Sequence, residues 1–218
     1  MERFSYLKSV AVVLFAAVCA YMGALIFPSL SYTPRAVSVT AAAQTHIGLE
    51  GIALRQEKAL TPPRQAVFLP GDSQRVAAGA LIWQGADGEG YSSGKSAVFV
   101  SQCDGYEHLS PPEDEKLSMA KLREYLNASP SESPGKGRLT EGFYWYYAAC
   151  APTPCPAISK GIHYLKFEGF ENYTKALLVS IDTTDEGSAL LFRLKLGDGA
   201  YLKLRKCRAE LLVSGLIS

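Results

Sequence analysis

The longest apolar run of the chain lies near its N-terminus, where no residue from 9 to 27 is charged. A helix over this run would be about 28 Å long, close to the roughly 30 Å hydrocarbon thickness of a bilayer. Arg3 and Lys8 precede the run, which favours a cytoplasmic N-terminus. We therefore predict a cytoplasmic segment over 1–8 and a transmembrane helix over 9–28.

A cleaved signal peptide is the alternative for this run. Its apolar region usually spans about 7–15 residues and ends in small residues at the cleavage site. This run is longer and ends in Ile26, Phe27 and Pro28, which make a poor cleavage site. The pattern thus favours a retained anchor, with the remainder of the chain outside the cytoplasmic membrane.

Beyond the anchor, short apolar stretches alternate with turn-forming residues, a pattern typical of β-strands. The predicted strands are 36–40, 46–56, 65–69, 97–102, 142–150, 163–170, 175–182, 188–196 and 200–214. Breaks are expected at Gly51 and at 61–63, and the polar stretch 85–96 is predicted to be a flexible loop. In the last strand the apolar parity shifts, so a β-bulge is expected near Arg205 or Lys206. The pattern predicts a mainly β protein.

One helix is predicted outside the anchor, over 110–127. Ser110 is the expected N-cap and Glu113 completes a capping box. The carboxylates 113–115 are interpreted as a solvated helix start, where they complement the helix dipole. A linker rich in serine and proline, 128–138, follows the helix.

An aromatic strand follows the linker. Phe143, Trp145 and Tyr147 alternate with Tyr144 and Tyr146, so both faces of the strand carry rings. Aromatic side chains at this spacing either pack in a core, leaving one exposed face for contact, or stack on a ligand. The alternating pattern favours packing with one exposed interaction face.

The charge balance and the motif content exclude several functional classes. The chain has 22 basic and 21 acidic residues and a net charge of +1, which gives no electrostatic footprint for nucleic acid. It has no nucleophile elbow, P-loop or dinucleotide-binding motif. The histidines His46, His108 and His163 are scattered along the chain. We therefore predict that the protein is not an enzyme, and we assign no catalytic, cofactor-binding or metal-binding residue.

The cysteines outside the anchor are Cys103, Cys150, Cys155 and Cys207. The four-residue spacing between Cys150 and Cys155 does not match a zinc site. A disulfide between these two in an oxidising compartment, and two free thiols, are both open alternatives.

Two stretches resemble the halves of a biotinyl- or lipoyl-type β-sandwich. Residues 66–82 place Val76 and Gly79 at the V-x-x-G positions of the first half, and residues 96–107 resemble the returning half. An anchor, then the strand EGIALRQEKALT, then split halves and a series of strands together resemble the HlyD-like periplasmic adaptor (membrane-fusion) family. The later stretches GRLTEGFYWYYAA and YLKLRKCRAELLVSGL fit the same likeness, which is to short Gram-positive-type members.

The resemblance implies a fold and a role. The expected fold has a split lipoyl-like sandwich region over 37–107, the connecting helix over 110–127 and a small antiparallel β-barrel over 136–218. The expected role is that of a membrane-anchored extracytoplasmic adaptor subunit of an export or efflux system, acting by protein–protein contact without a cofactor. Expected partners are an inner-membrane transporter, either ABC-type or proton-driven, or another envelope protein, and further copies of the chain. The alternative is an envelope or cell-division scaffold that moves no cargo.

The chain also departs from the family pattern. Residues 84–95 occupy the place where many adaptors insert a long α-helical hairpin, and they are too few to form one. Docking onto an outer-membrane channel is therefore not expected. Lys95 in this segment lacks the tight-hairpin context of a modified lysine, so no lipoylation is predicted. The sequence stops at Ser218, where relatives continue, and a naturally short barrel and an incomplete one both remain open.

Alkaline extraction of membranes tests the anchor. The full chain is expected to stay in the membrane fraction, because a transmembrane helix inserts in effect irreversibly. A variant lacking residues 1–28 is expected in the supernatant. Release of the full chain into the supernatant would contradict the prediction. So would a measured mass that corresponds to a mature chain beginning near residue 28.

Overall fold

The first described strand is long, and it organises the fold. The computed structural model describes residues 44–132, 135–152, 158–197 and 199–214, so the predicted cytoplasmic segment, the predicted transmembrane helix and the predicted strand over 36–40 lie outside it. Within the described ranges, no helix is long and apolar enough to cross a bilayer.

Short strands and turns precede the single described helix, and longer strands follow it. The strands before the helix are β1 (Gln44–Leu60), β2 (Val67–Phe68), β3 (Arg75–Val76), β4 (Leu81–Gln84), β5 (Gly90–Ser92) and β6 (Ala97–Val100). Then come helix α1 (Met119–Asn127), β7 (Gly137–Ala151), β8 (Gly161–Phe167), β9 (Thr174–Thr184), β10 (Gly187–Lys195), a 3₁₀ turn (Ala200–Lys203) and β11 (Lys206–Ser214). The prediction of a mainly β protein with a helix between two groups of strands is confirmed for the described residues.

The strands of the larger sheet close into a ring. Strand β1 pairs with β11 along residues 44–52 and with β7 along residues 50–60. The order β1-β11-β8-β9-β10-β7 returns to β1, with every neighbouring pair antiparallel. Residues 44–60 were expected to belong to the sandwich region over 37–107, whereas in the structure they complete the ring.

The sequence predicts a break at Gly51, but strand β1 continues through this residue. A Cβ atom at this position would lie 2.5 Å from the carbonyl oxygen of Ala148 and 2.7 Å from the ring of Tyr147. The glycine therefore permits a close approach of β1 to β7 rather than a turn.

The interior of the ring is aromatic. Trp145 and Tyr147 are fully buried, with ring centroids 5.5 Å and 5.1 Å from that of Phe167. The Tyr147 hydroxyl donates to the carbonyl of Cys207 at 2.9 Å, and burial raises the pKa of Tyr147. The expectation that one face of the aromatic strand packs in a core is confirmed for these two residues.

A smaller sheet, β2-β4-β5, lies beside the end of the ring. Its side chains share an apolar cluster with Val76, Phe99 and Leu139. Strand β3 pairs with β6, with Arg75 opposite Val98 and Val76 opposite Ala97. The stretches 66–82 and 96–107, singled out in the sequence, therefore belong to one paired structure.

Part of the stretch predicted as a loop, 85–96, is the strand β5. It pairs with β4, and the rings of Trp83 and Tyr91 stack with centroids 6.5 Å apart. The connecting turn closes where the Gly85 amide donates to the Glu89 carbonyl at 2.7 Å. A strand of only three residues, flanked by glycines and serines, carries too little apolar pattern to be detected from the sequence.

Helix α1 begins nine residues later than predicted. Its N-cap is Ser118, which accepts from the Lys121 amide at 3.2 Å, rather than Ser110. The Met119 amide donates to Asp182 of β9 at 2.8 Å, and the Leu117 amide donates to Ser180 at 3.1 Å. The start is thus fixed by side chains from a distant strand, which a local capping pattern cannot reveal.

The predicted bulge near Arg205 is replaced by the 3₁₀ turn over Ala200–Lys203, after which β11 pairs with β1 in unbroken register. The turn directs backbone carbonyls inward. Arg55 donates to the carbonyls of Tyr201 and Leu204, the latter at 2.8 Å, and Arg138 donates to that of Leu202 at 2.9 Å.

A buried carboxylate joins the ring to the segments beside the smaller sheet. The side chain of Glu57 is fully buried and contacts Arg205 at 2.5 Å, Arg138 at 3.2 Å and Arg55 at 3.7 Å. Arg205 also makes a bidentate pair with Asp104, at 2.9 Å and 3.0 Å. We call these residues, together with Glu107, the arginine cluster.

Within the arginine cluster, the carboxylates and the guanidinium groups compensate one another's charge. Burial lowers the pKa of Arg55 to about 10, although Glu57 acts in the opposite direction. Burial raises the pKa of Asp104, but the hydrogen bonds and charge of Arg205 outweigh this and keep the pKa below its ordinary value. Loss of Glu57 would leave the buried guanidinium of Arg55 without an ion-pair partner.

Replacing Glu57 by Gln is expected to lower the free energy of unfolding by about 3–5 kcal/mol, because it removes the ion-pair partner of buried Arg55 and one counter-charge each of Arg138 and Arg205. Urea unfolding of the full chain in detergent, followed by tryptophan fluorescence, measures the change. The matched control is Glu50→Gln, which removes an exposed pair with Arg208 and is expected to cost about 0–1 kcal/mol. Equal costs for the two variants would show that the cluster is not a stabilising centre.

Candidate interaction surface

One part of the outer surface of the ring is left uncovered. Helix α1 packs its buried side chains against outward residues of β1, β7 and β10, among them Ile52, Ala148 and Leu191. Strand β8 lies away from this helix, and its outward residues Ile162 and Tyr164 are 58% and 46% exposed. We define the open face by its outward side chains, which are Tyr144, Ile162, Tyr164, Lys175, Leu177, Arg193 and Lys195.

Strand alternation places these residues outward. In β8, Leu165 and Phe167 are buried, so Ile162 and Tyr164 occupy the opposite side. An antiparallel sheet with one solvated face normally carries polar residues on that face. Large apolar side chains there indicate a contact surface rather than a requirement of the fold.

Cross-strand register arranges the open face in a regular way. Ile162 lies opposite Leu177, and Leu177 lies opposite Arg193. Two residues further along the strands, on one side of this apolar centre, each lysine lies opposite an exposed tyrosine: Lys175 opposite Tyr164 and Lys195 opposite Tyr144. Directly opposite side chains on paired strands are in contact distance of one another.

A groove of about 510 Å³ runs along this arrangement. Its remaining lining comes from Thr174, Ala176, Gly197 and Tyr201, and the hydroxyls of Thr174 and Tyr201 lie 2.8 Å apart. The volume is in the range of clefts that bind small molecules or single side chains.

The border of the open face is set by Glu115, which was expected to be a solvated helix start. It accepts from Tyr146 at 2.6 Å and pairs with Arg193 at 2.7 Å. The Tyr146 hydrogen bond, aided by Arg193, holds the pKa of Glu115 below its ordinary value against the effect of burial. That expectation was wrong, because α1 begins at Met119 and none of the carboxylates 113–115 lies in its first turn. The cation at Arg193 is neutralised by Glu115.

The other two cations of the open face are not neutralised by the part of the chain that the structure describes. Lys175 and Lys195 are exposed and make no ion pair with a described residue, and no described residue of the groove carries a carboxylate. The neighbouring strip on β1 and β11 differs, because His46 pairs with Glu210 at 3.0 Å and Arg208 pairs with Glu50 at 2.9 Å. The open face is therefore locally cationic.

Phe143 extends the aromatic surface beyond the groove. Gly142 adopts φ +84°, and this left-handed residue turns Phe143 outward, where it is 68% exposed. The guanidinium of Arg75 lies 5.7 Å from its ring centroid. Simple alternation places Phe143 on the same face of β7 as Trp145, which is buried. That placement was wrong for Phe143, because alternation cannot anticipate a backbone kink at glycine.

The other residues singled out in the sequence do not converge. The described cysteines Cys103, Cys150 and Cys207 form no disulfide with one another, and burial raises the pKa of Cys103 to about 11 and that of Cys207 to about 12. Cys155 lies outside the described residues, and Lys95 pairs with Glu141 at 3.1 Å. Over the described ranges, no three potential metal ligands cluster.

A scan against protein-family models found no match, and a search of curated proteins found none either. The likeness to adaptor proteins described from the sequence therefore stays an expectation.

Paired substitutions on β8 test the orientation of the open face. Ile162→Thr is expected to change the free energy of unfolding by no more than about 0.5 kcal/mol, because the side chain is exposed and threonine keeps the strand preference. Leu165→Thr, three residues along the same strand, is expected to cost about 2–5 kcal/mol, because its side chain is fully buried. Urea unfolding compares them, and a large loss for Ile162→Thr would show that it packs inside the fold.

Proposed function

We propose that the chain is a membrane-anchored extracytoplasmic adaptor subunit of an export system, acting by contact with an inner-membrane transporter. The observation that carries this proposal is the open face, in which exposed Ile162 and Tyr164 and half-buried Leu177 form an apolar centre beside two lysines. Exposed apolar patches bordered by polar groups mark contact sites more often than catalytic ones.

The pairing of the two sequence stretches supports the same proposal. A split sandwich requires residues 66–82 and 96–107 to share strand pairing, and β3 pairs with β6 as that requires. The pairing of β3 with β6 is short, with two residues on each strand. The apolar cluster around it continues into β7 through Leu139. It is compatible with the adaptor likeness.

Rigid support of the contact surface also fits an adaptor. The open face lies on ring strands that the aromatic core holds from inside, and the arginine cluster ties the ring to the residues beside the smaller sheet. A partner that binds such a surface loses little free energy to ordering it. With the predicted anchor in the bilayer, the face would meet membrane proteins at a high local concentration.

Co-purification from mild detergent tests the proposal. The wild-type chain is expected to carry an ABC-type or proton-driven transporter and further copies of itself, whereas Ile162→Glu with Tyr164→Glu is expected to lose the transporter, because two carboxylates are placed in the apolar contact. The matched control is Val67→Glu, an equally exposed apolar position on the smaller sheet.

A strictly monomeric chain without a transporter would contradict the proposal. Deletion of the gene separates the remaining possibilities. Altered export or drug sensitivity supports the transport role, and altered cell shape or septation supports an envelope or division scaffold instead.

A further inference from the structure

The charge and shape of the open face define the chemistry of its partner. Resting on the proposed function, we propose that the open face binds an acidic amphipathic segment of another protein, with an apolar side chain beside its carboxylates. The apolar side chain occupies the groove at Ile162 and Leu177, and the carboxylates pair with Lys175 and Lys195.

The lysines supply the electrostatic part of this recognition. Each has a tyrosine directly across the strand pairing, Tyr164 for Lys175 and Tyr144 for Lys195, so an incoming carboxylate meets an ammonium beside an aromatic ring. Arg193 is already paired with Glu115 and lies over the Tyr144 ring, 5.1 Å from its centroid. It therefore orders the border of the groove and leaves the two lysines to bind the segment.

The apolar centre supplies the anchor. Ile162 and Leu177 lie opposite each other, and both lysine–tyrosine pairs lie two residues along on the same side of them, so the site places an apolar pair next to two cations. A segment with one apolar side chain and neighbouring acids matches this order. A basic segment would place like charges together, which is unfavourable.

A protein segment fits these observations better than a lipid surface. Polybasic recognition of anionic membranes usually involves about 4–8 lysines or arginines. The open face offers Lys175 and Lys195 as its unpaired described cations, and they border a groove of about 510 Å³ rather than a protruding apolar edge. A concave site with few charges is suited to an inserted side chain.

Photo-crosslinking of the full chain in its native membrane tests the inference. p-Benzoylphenylalanine replaces Ile162, and the adducts are sequenced by mass spectrometry. The expected adduct is a protein segment with an apolar residue among aspartates or glutamates. Its yield is expected to fall roughly two- to thirtyfold in the Lys175→Gln, Lys195→Gln double variant, as expected for loss of two exposed charge pairs, and to fall with added salt.

The matched control is Lys58→Gln with Lys121→Gln, which removes two exposed lysines outside the open face and is expected to leave the adduct unchanged. Both double variants are checked for an unchanged unfolding midpoint. A phospholipid adduct, a second copy of the chain, a segment without carboxylates, an adduct insensitive to Lys175 and Lys195, or no adduct would each overturn the inference.

The outcomes also separate the inference from the proposed function. If a transporter co-purifies equally with wild type and the Lys175→Gln, Lys195→Gln variant and no acidic adduct forms, the inference fails and the adaptor role stands. If the acidic adduct belongs to an envelope protein that is not a transporter, the inference stands and the adaptor role fails.

Discussion

The burial of Glu57 among three arginines is the constraint on which the rest of the described structure depends. Arg55, Arg138 and Arg205 come from β1, β7 and the residue before β11, so one carboxylate specifies how three distant parts of the chain meet. Buried guanidinium groups tolerate few alternatives, because each needs a counter-charge or a carbonyl. The 3₁₀ turn and the residue that follows it provide carbonyl acceptors for Arg138 and Arg55.

The position of β1 follows from the same constraint. Its first half completes the ring with β11, and its second half follows β7 out toward the smaller sheet. Helix α1 is then held over one side of the ring by Ser180 and Asp182 of β9. The remaining side, along β8, is exposed as a result, so the open face is a consequence of where the helix is fastened rather than of a local signal in β8.

Local pattern was enough to predict most of the strands and the mainly β class. The apolar stripe of α1 was also correct, since Met119, Leu122 and Tyr125 are buried. What could not be predicted depends on contacts distant in sequence. The start of α1 is chosen by β9, Glu115 is held by Arg193 from β10, and Phe143 is turned out by the conformation of Gly142. No sequence motif marked the open face, because its tyrosines and lysines come from four strands and meet only in register.

The pairing of Gln44 with Ser214 places both ends of the described chain at one rim of the ring. Tyr164 of the open face lies opposite Leu212 of β11, and Leu212 lies opposite His46 of β1, so the open face begins at this same rim. A tensile load that enters at Gln44 and is opposed at Tyr164 would act across β1, β11 and β8 at their ends. A ladder loaded crosswise opens bond by bond, whereas one loaded along its strands must shear as a unit. The ring would therefore yield first at this rim under a pull between Gln44 and the open face.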